Sequence, residues 1–285
     1  MDKLDPGVAA LVLMAAVMHA SWNAIVKSDS DRLASFALVM LFGGFMGLAL
    51  VPFVGAPDPA SWPFLLASMA VHVVYYFALL RAYALGDLSH VYPIARGLGP
   101  TLVAVFSGAL IGEYLSWRET GGVVLVSLGI AGLALARGIP TADERRATAM
   151  AVFTGVTIAA YTVIDAMGAR ASGNALGYIA WLNVLEAPWV FAYACWRRGG
   201  AIVPYIRAHW LRGSIGGAIA ATGYGIAIWA TSVSPVAHIS ALRETSVLFA
   251  ALIGTFLLGE AFGPRRVAAA ALMVAGLLLM NFKLI

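Results

Sequence analysis

Apolar residues occur in long runs along this sequence, and each run ends in a short polar or turn-forming break. Ten runs approach the length of about 20 residues that an α-helix needs to cross a bilayer. They are Gly7–Val26, Ala34–Val54, Pro63–Leu80, Ser89–Ile111, Thr120–Ala136, Ala147–Met167, Ala175–Trp196, Gly213–Thr231, Pro235–Leu258 and Pro264–Phe282. Lipid cannot hydrogen-bond an exposed backbone, and the runs do not alternate as barrel strands do. The pattern therefore predicts an all-α integral membrane protein with ten transmembrane helices.

The composition excludes the soluble classes of protein. Hydrophobic residues make up 61% of the chain and charged residues 11%, whereas soluble domains average about 25% charged residues. The net charge of +4 does not indicate a nucleic-acid partner, because the basic residues are scattered between apolar runs. The sequence holds no Gly-rich phosphate loop, metal-ligand spacing or nucleophile elbow. We therefore predict no enzyme, no cofactor and no metal.

The longest central break, residues 137–146, divides the predicted helices into two sets of five. We predict a first repeat over residues 1–138, a linker over 139–146 and a second repeat over 147–285. Because each repeat has an odd number of helices, the second must enter the membrane from the opposite side. Inverted repeats are typical of secondary transporters, whose substrate site lies near the midplane between the copies.

Matching residues support the repeat. A shift of 147 positions pairs Arg96 with Arg243, and Gly112-Glu113 with Gly259-Glu260. These charged residues coincide in segments where charge is rare. The pairing therefore indicates two related halves.

The five-plus-five helices, with a Gly-Glu pair ending the fourth helix of each repeat, resemble the EamA family of the drug/metabolite transporter superfamily. The resemblance covers essentially the whole chain. It implies two inverted five-helix bundles around a central cavity, alternating access, and peripheral fifth and tenth helices. The opening segment Met18–Lys27 is also similar to a subgroup linked to phosphonate utilisation.

Arg96 and Arg243 are the basic residues deepest within the predicted helices. A charged side chain in a membrane span costs about 2.5–3.5 kcal/mol on insertion scales, so each needs a physical reason. As a symmetric pair they could bind a substrate carboxylate, phosphate or phosphonate through bidentate hydrogen bonds. Alternatively, each extends to the interface or pairs with a carboxylate. Glu244 follows Arg243 directly and so does not share its helix face.

The first predicted helix carries a polar stripe. His19, Trp22 and Asn23 share one face by their i, i+3, i+4 spacing, and Lys27 continues it. We predict that His19, Trp22 and Asn23 contact substrate. His19 is also a candidate proton carrier, because its ordinary pKa is about 6.5. The alternative for Trp22 and Lys27 is anchoring at the membrane interface.

Two acidic residues are the further candidates for proton coupling. Glu186 lies mid-span in the seventh predicted helix, and Asp165 lies one turn after Tyr161 in the sixth. An intramembrane carboxylate marks a functional site by default. The alternatives are a buried neutral acid for Glu186 and a loop carboxylate for Asp165.

Aromatic residues supply the remaining candidates for substrate contact. Tyr76 and Tyr83, with His72 and Tyr75, lie in the third predicted helix, and Tyr224 lies in the eighth. Such residues could form an aromatic box for an amine. Packing and an interface belt are the alternative.

These features predict a secondary transporter that moves a small anionic or zwitterionic metabolite by alternating access, with protons as the candidate coupling ion. One alternative is an exporter of amines, amino acids or other cationic or amphipathic metabolites. Another is a non-transporting membrane sensor or assembly subunit. The expected partners are the small-molecule substrate and the lipid bilayer, and both monomer and homodimer remain open. We expect a multi-pass protein of the bacterial inner membrane.

The loop charges give a testable orientation. Only four Lys or Arg residues lie on the side of the termini (Lys3, Arg118, Arg170 and Lys283), against twelve on the other side. Because positive loops stay in the cytoplasm, this count predicts that both termini lie outside it. The family resemblance implies the opposite. A C-terminal alkaline phosphatase fusion should be active outside, and activity of a cytoplasmic reporter instead would contradict the charge count.

Overall fold

A computed structural model describes residues 4–85, 88–135, 145–258 and 264–281. The described chain is helical apart from short connections. Its α-helices are α1 Pro6–Lys27, α2 Arg32–Val54, α3 Trp62–Leu85, α4 Leu88–Ile111, α5 Trp117–Leu135, α6 Arg145–Ala171, α7 Ala175–Arg198, α8 Ile202–Val233, α9 Val236–Arg243, α10 Thr245–Leu258 and α11 Pro264–Asn281. Single 3₁₀ turns precede α3 and α8.

Within the described residues, the predicted membrane segments fall almost entirely on helix. The ninth segment is divided into α9 and α10, with Glu244 between them, and the tenth is α11. Among the described residues, seven helical stretches are long and apolar enough to cross a membrane, and Ala175–Val233, which holds both α7 and α8, is counted as one. The all-helical, multi-pass class is thus confirmed, while the count of ten crossings stays a prediction.

The helices form two units that alternate along the sequence. The α4 unit comprises Met1–Leu13, Val74–Val163 and Ser234–Ile285, and the α7 unit comprises Met14–Val73 and Ile164–Val233. Each unit takes helices from both halves of the chain. They are therefore different from the predicted repeats, whose boundaries stay a prediction.

Within the α4 unit, α5 and α11 pack backbone against backbone. A Cβ atom at Gly276 would lie 2.6 Å from the carbonyl oxygen of Gly122. One at Gly129 would lie 2.8 Å from the carbonyl oxygen of Ala269. Small residues permit such close approach, which matters because lipid provides no hydrophobic force between helices.

Within the α7 unit, α2 packs against α7 and α8 by the same means. A Cβ atom at Gly44 would lie 2.3 Å from that of Ala187, and one at Gly217 would lie 2.7 Å from the carbonyl oxygen of Val39. Buried Tyr178 lies in the apolar cluster that joins α3, α6, α7 and α8. Glycine contacts thus hold α2 against α7 and α8, which carry part of the polar cluster described below.

An ion pair fixes the short connection between α1 and α2. Asp31 accepts a hydrogen bond from the backbone N–H of Ala34 and so caps α2. Arg198 at the end of α7 donates two hydrogen bonds, of 2.6 and 2.8 Å, to the Asp31 carboxylate. The Arg198 guanidinium holds the pKa of this carboxyl below its ordinary value. This ion pair therefore adds a polar contact between the start of α2 and the end of α7.

The Gly112-Glu113 pair has a structural explanation. Gly112 follows α4 with a φ of +77°, a left-handed conformation that favours glycine at a helix end. Glu113 Oε2 then accepts a 2.8 Å hydrogen bond from the N–H of Val236, the first residue of α9. Pro235, the N-cap of α9, provides no side-chain hydrogen bond of its own. Glu113 thus caps a helix that is distant in sequence. The matching Gly259-Glu260 lies outside the described residues.

The α5–α11 contact predicts the effect of an added methyl group. Gly276→Ala should lower the free energy of unfolding by about 1–3 kcal/mol, because the new Cβ atom overlaps backbone atoms that cannot move aside. Gly132→Ala is the matched control, since its Cβ atom would meet nothing closer than 3.7 Å. Denaturant unfolding of the detergent-solubilised protein measures both. Equal stability of the two variants would contradict the packing described here.

Candidate functional site

A cluster of ionisable side chains is buried within the α7 unit. His72 of α3, Asp165 of α6 and Glu186 of α7 are 3%, 1% and 4% exposed. Burial of such groups is costly and is tolerated where they pair with one another or with other polar groups. Their convergence from three helices therefore marks this cluster as a candidate functional site.

His72 and Glu186 form its first pair. Nδ1 of His72 lies 2.9 Å from Oε1 of Glu186 and 3.0 Å from the backbone carbonyl oxygen of Ser68, one turn earlier in α3. The Ser68 hydroxyl oxygen also lies 3.1 Å from Nδ1, so this nitrogen can donate to the Ser68 carbonyl or accept from the Ser68 hydroxyl, depending on the tautomer. His72 and Glu186 thus lie at ion-pair distance in the buried interior.

Asp165 forms the second part of the cluster. Its Oδ1 accepts a 3.0 Å hydrogen bond from the hydroxyl of Tyr178, and its Oδ2 accepts one from the hydroxyl of Tyr224. Tyr178 fits against α6 because a Cβ atom at Gly168 would lie 2.4 Å from its ring. The ring of Tyr224 also meets that of His72 edge to face, with centroids 5.5 Å apart. Tyr224 therefore contacts both parts of the cluster.

The cluster combines proton-binding groups with hydroxyl donors. Two carboxyl groups and one imidazole can hold different numbers of protons, and each change alters the buried charge by one unit. Tyrosine hydroxyls stabilise a carboxylate by donating to it, which reduces the cost of losing a proton inside the protein. The arrangement is chemically suited to taking up and releasing protons.

A second buried ion pair lies within the α4 unit. Nε of Arg96 in α4 lies 2.9 Å from Oε2 of Glu244, and Nη2 of Arg96 donates a 3.2 Å hydrogen bond to Oγ of Ser246. Arg96 and Glu244 are 4% and 3% exposed. Glu244 also interacts electrostatically with the partly buried Arg243. Of the interpretations open for Arg96, pairing with a carboxylate is the one observed, and the partner comes from the other half of the chain.

The polar stripe of α1 lies within the α7 unit. His19, Trp22 and Asn23 are all partly buried. Asn23 donates a 2.8 Å hydrogen bond to the backbone carbonyl of His19, and Trp22 stacks on Phe36 with centroids 6.0 Å apart. Lys27 at the end of the stripe is exposed. These contacts hold the Asn23 and Trp22 side chains in place, and their role in substrate binding stays a prediction.

Of the aromatic candidates on α3, Tyr76 has observed contacts. Tyr76 is buried and packs against Tyr75, whose ring also meets that of Tyr161. The side chain of Tyr83 lies outside the described residues. Tyr76 therefore has a packing contact, and the aromatic box stays a prediction.

Some of the predicted site residues contact one another, and further residues complete the site. Asp165 accepts a hydrogen bond from Tyr224. Asp165 is buried and lies well inside α6, so it is not a loop carboxylate. The sequence does not predict Tyr178 as a site residue, and it places His72 only among the aromatic candidates of the third predicted helix. A histidine within a membrane segment, preceded one turn earlier by a serine, was the available signal for His72. Tyr178 had no comparable signal, because its position near a helix start is typical of an interface aromatic.

Long apolar helices that bury ionisable groups define a multi-pass integral membrane protein. The family model described as the EamA-like transporter family matches residues 7–135 and 145–282. The chain therefore belongs to the EamA-like transporter family, as its resemblance in sequence predicted.

One solved structure extends the comparison to the fold. It is described as "Crystal structure of protein" and superposes with a TM-score of 0.76 at 20% sequence identity. The superposition covers 97% of this chain and 98% of the other. At this identity the likeness shows the fold alone. No curated protein matches the chain.

Proposed function

We propose that this protein is a secondary transporter that moves a small anionic or zwitterionic metabolite across the membrane by alternating access, coupled to protons. Membership of a transporter family supports the general activity. The substrate class rests on one observation, the guanidinium of Arg96 buried beside Glu244 and Ser246. The bacterial inner membrane is the proposed location.

A buried guanidinium favours an anionic substrate for electrostatic reasons. The attraction between opposite charges increases as the dielectric constant falls, so Arg96 binds an anion more strongly inside the protein than in water. Its planar fork of donors matches the geometry of carboxylate, phosphate and phosphonate groups. Arg243, which also interacts with Glu244, adds positive charge to the same region.

Proton coupling is supported by the cluster in the α7 unit. Asp165, Glu186 and His72 are protonatable and lie within one connected set of contacts. His19 on α1 is a further candidate carrier. A carrier that binds a proton in one orientation and releases it in the other needs a buried group whose charge can change.

A second candidate is an exporter of amines or other cationic metabolites. It is favoured by the same cluster, because two carboxyl groups lie beside the rings of His72 and Tyr224. Aromatic faces and carboxylates together attract an ammonium group. The two candidates differ in which buried charge contacts the substrate, and substitution of the arginines distinguishes them.

We predict that Arg96→Gln and Arg243→Gln abolish binding of the anionic or zwitterionic substrate while the protein still folds. Arg96→Lys should restore binding only in part, because lysine keeps the charge but loses the planar fork. Calorimetry on purified protein, with candidate metabolites as ligands, measures the effect. Arg207→Gln is the matched control, since Arg207 is exposed on α8. Normal transport by both Gln variants would favour the amine exporter.

We also predict that Glu186→Gln and Asp165→Asn lose uptake driven by a pH gradient but retain substrate exchange. Each replacement keeps the size of the side chain and removes its proton-binding oxygen, so only the coupled step should fail. Proteoliposomes with and without an imposed pH gradient separate the two activities. Asp58→Asn, at an exposed position, serves as the control. Gradient-driven accumulation by both cluster variants would exclude this proton pathway.

A further inference from the structure

The interruption between α9 and α10 places Glu244 at a helix start. The N–H of Glu244 bonds to the carbonyl oxygens of Ala241 and Leu242, and its own carbonyl accepts a 2.9 Å hydrogen bond from Val247. These tight turns end α9 and let α10 begin at Thr245. The N-terminus of a helix carries partial positive charge on its unbonded N–H groups and favours a nearby anion.

The Glu244 carboxylate lies against α4 without a well-directed hydrogen bond at one of its oxygens. Its Oε2 is buried and has no hydrogen-bond partner of good geometry, although Nε of Arg96 is 2.9 Å away. On the other side, a Cβ atom at Gly99 would lie 3.8 Å from Oε1, so the absence of a side chain there leaves room beside the carboxylate. Electrostatic attraction, more than directed bonding, holds Glu244 in this position.

We propose that Glu244 is a tethered counter-ion that occupies the anion-binding position of Arg96, and that the carboxylate, phosphate or phosphonate of the substrate takes its place. The inference rests on the proposed function and adds a competitor within the same site. The Arg96 guanidinium, the group that an anionic ligand requires, lies against the Glu244 carboxylate and also donates to the hydroxyl of Ser246 in the first turn of α10.

Exchange of one anion for another explains why a buried arginine is tolerated in an empty carrier. A guanidinium left alone in a low-dielectric interior is strongly destabilising, whereas an ion pair offsets part of that cost. With Glu244 present, Arg96 faces a carboxylate before substrate enters and after it leaves. The internal carboxylate also weakens substrate binding, which permits release at the end of each cycle.

The test compares Glu244→Gln with the wild-type protein, both full length and in detergent. The probes are acetate and inorganic phosphate as anions, glycine as a zwitterion and ethylammonium as a cation. The variant should bind acetate and phosphate with a Kd lower by about tenfold or more, because the competing charge is gone. Its affinity for ethylammonium should not rise. Glu119→Gln is the matched control, since Glu119 belongs to the same unit and pairs with His238 instead.

A second substitution shows whether the increase in anion affinity depends on Arg96. In the Arg96→Gln background, Glu244→Gln should bring no increase in anion affinity, because the group for which both anions compete is absent. An increase of the same size in that background would overturn the proposal. If Glu244→Gln fails to fold, Glu244→Asp retracts the carboxylate by one methylene and should give a smaller gain, and no gain would equally refute it.

The outcomes separate this inference from the proposed function. If the wild-type protein binds acetate, phosphate or glycine and Glu244→Gln binds them no more tightly, the counter-ion role is refuted. The proposed substrate class is then unaffected. Failure of both proteins to bind any anionic or zwitterionic probe rejects the counter-ion and the substrate class together.

Discussion

The cost of charge in lipid is the constraint on which this structure depends. The hydrocarbon cannot solvate an ionised group, so each buried charge must find its partner within the helices. Arg96 meets Glu244, His72 meets Glu186, and Asp165 accepts hydrogen bonds from two tyrosines. Each contact joins residues on different helices. The polar groups therefore fix which helices are neighbours, in addition to any chemistry they perform.

Close helix packing makes these polar contacts possible. Tyr178 reaches Asp165 because Gly168 leaves space for its ring, and Glu244 lies against α4 where Gly99 has no side chain. Without a hydrophobic force between helices in lipid, such close contact and the polar bonds together provide the association. A substitution at Gly168 would therefore disturb the hydrogen bond to Asp165 as well as the packing.

The sequence predicts the helices well because the length of an apolar run directly reflects bilayer thickness. It also identifies Asp165, Glu186 and Arg96 as exceptional, because ionisable residues are rare in such runs. It does not predict their partners. Helical periodicity relates residues one turn apart, so it relates Glu244 to its neighbour Arg243 and not to Arg96 on another helix. The break between α9 and α10 at Glu244 is not predicted either, because no proline or glycine lies next to Glu244 in the sequence.

The two halves of the sequence share an arginine at matching positions but differ in the residue that follows it. The shift that pairs Arg96 with Arg243 places Gly97 opposite Glu244, so only the second half supplies a carboxylate there. That single carboxylate interacts with both arginines. Related halves allow a carrier to present similar surfaces in two orientations, whereas a substrate has no such symmetry. In the proposed transporter, the difference at the residue after each arginine gives an asymmetric ligand an asymmetric set of charges.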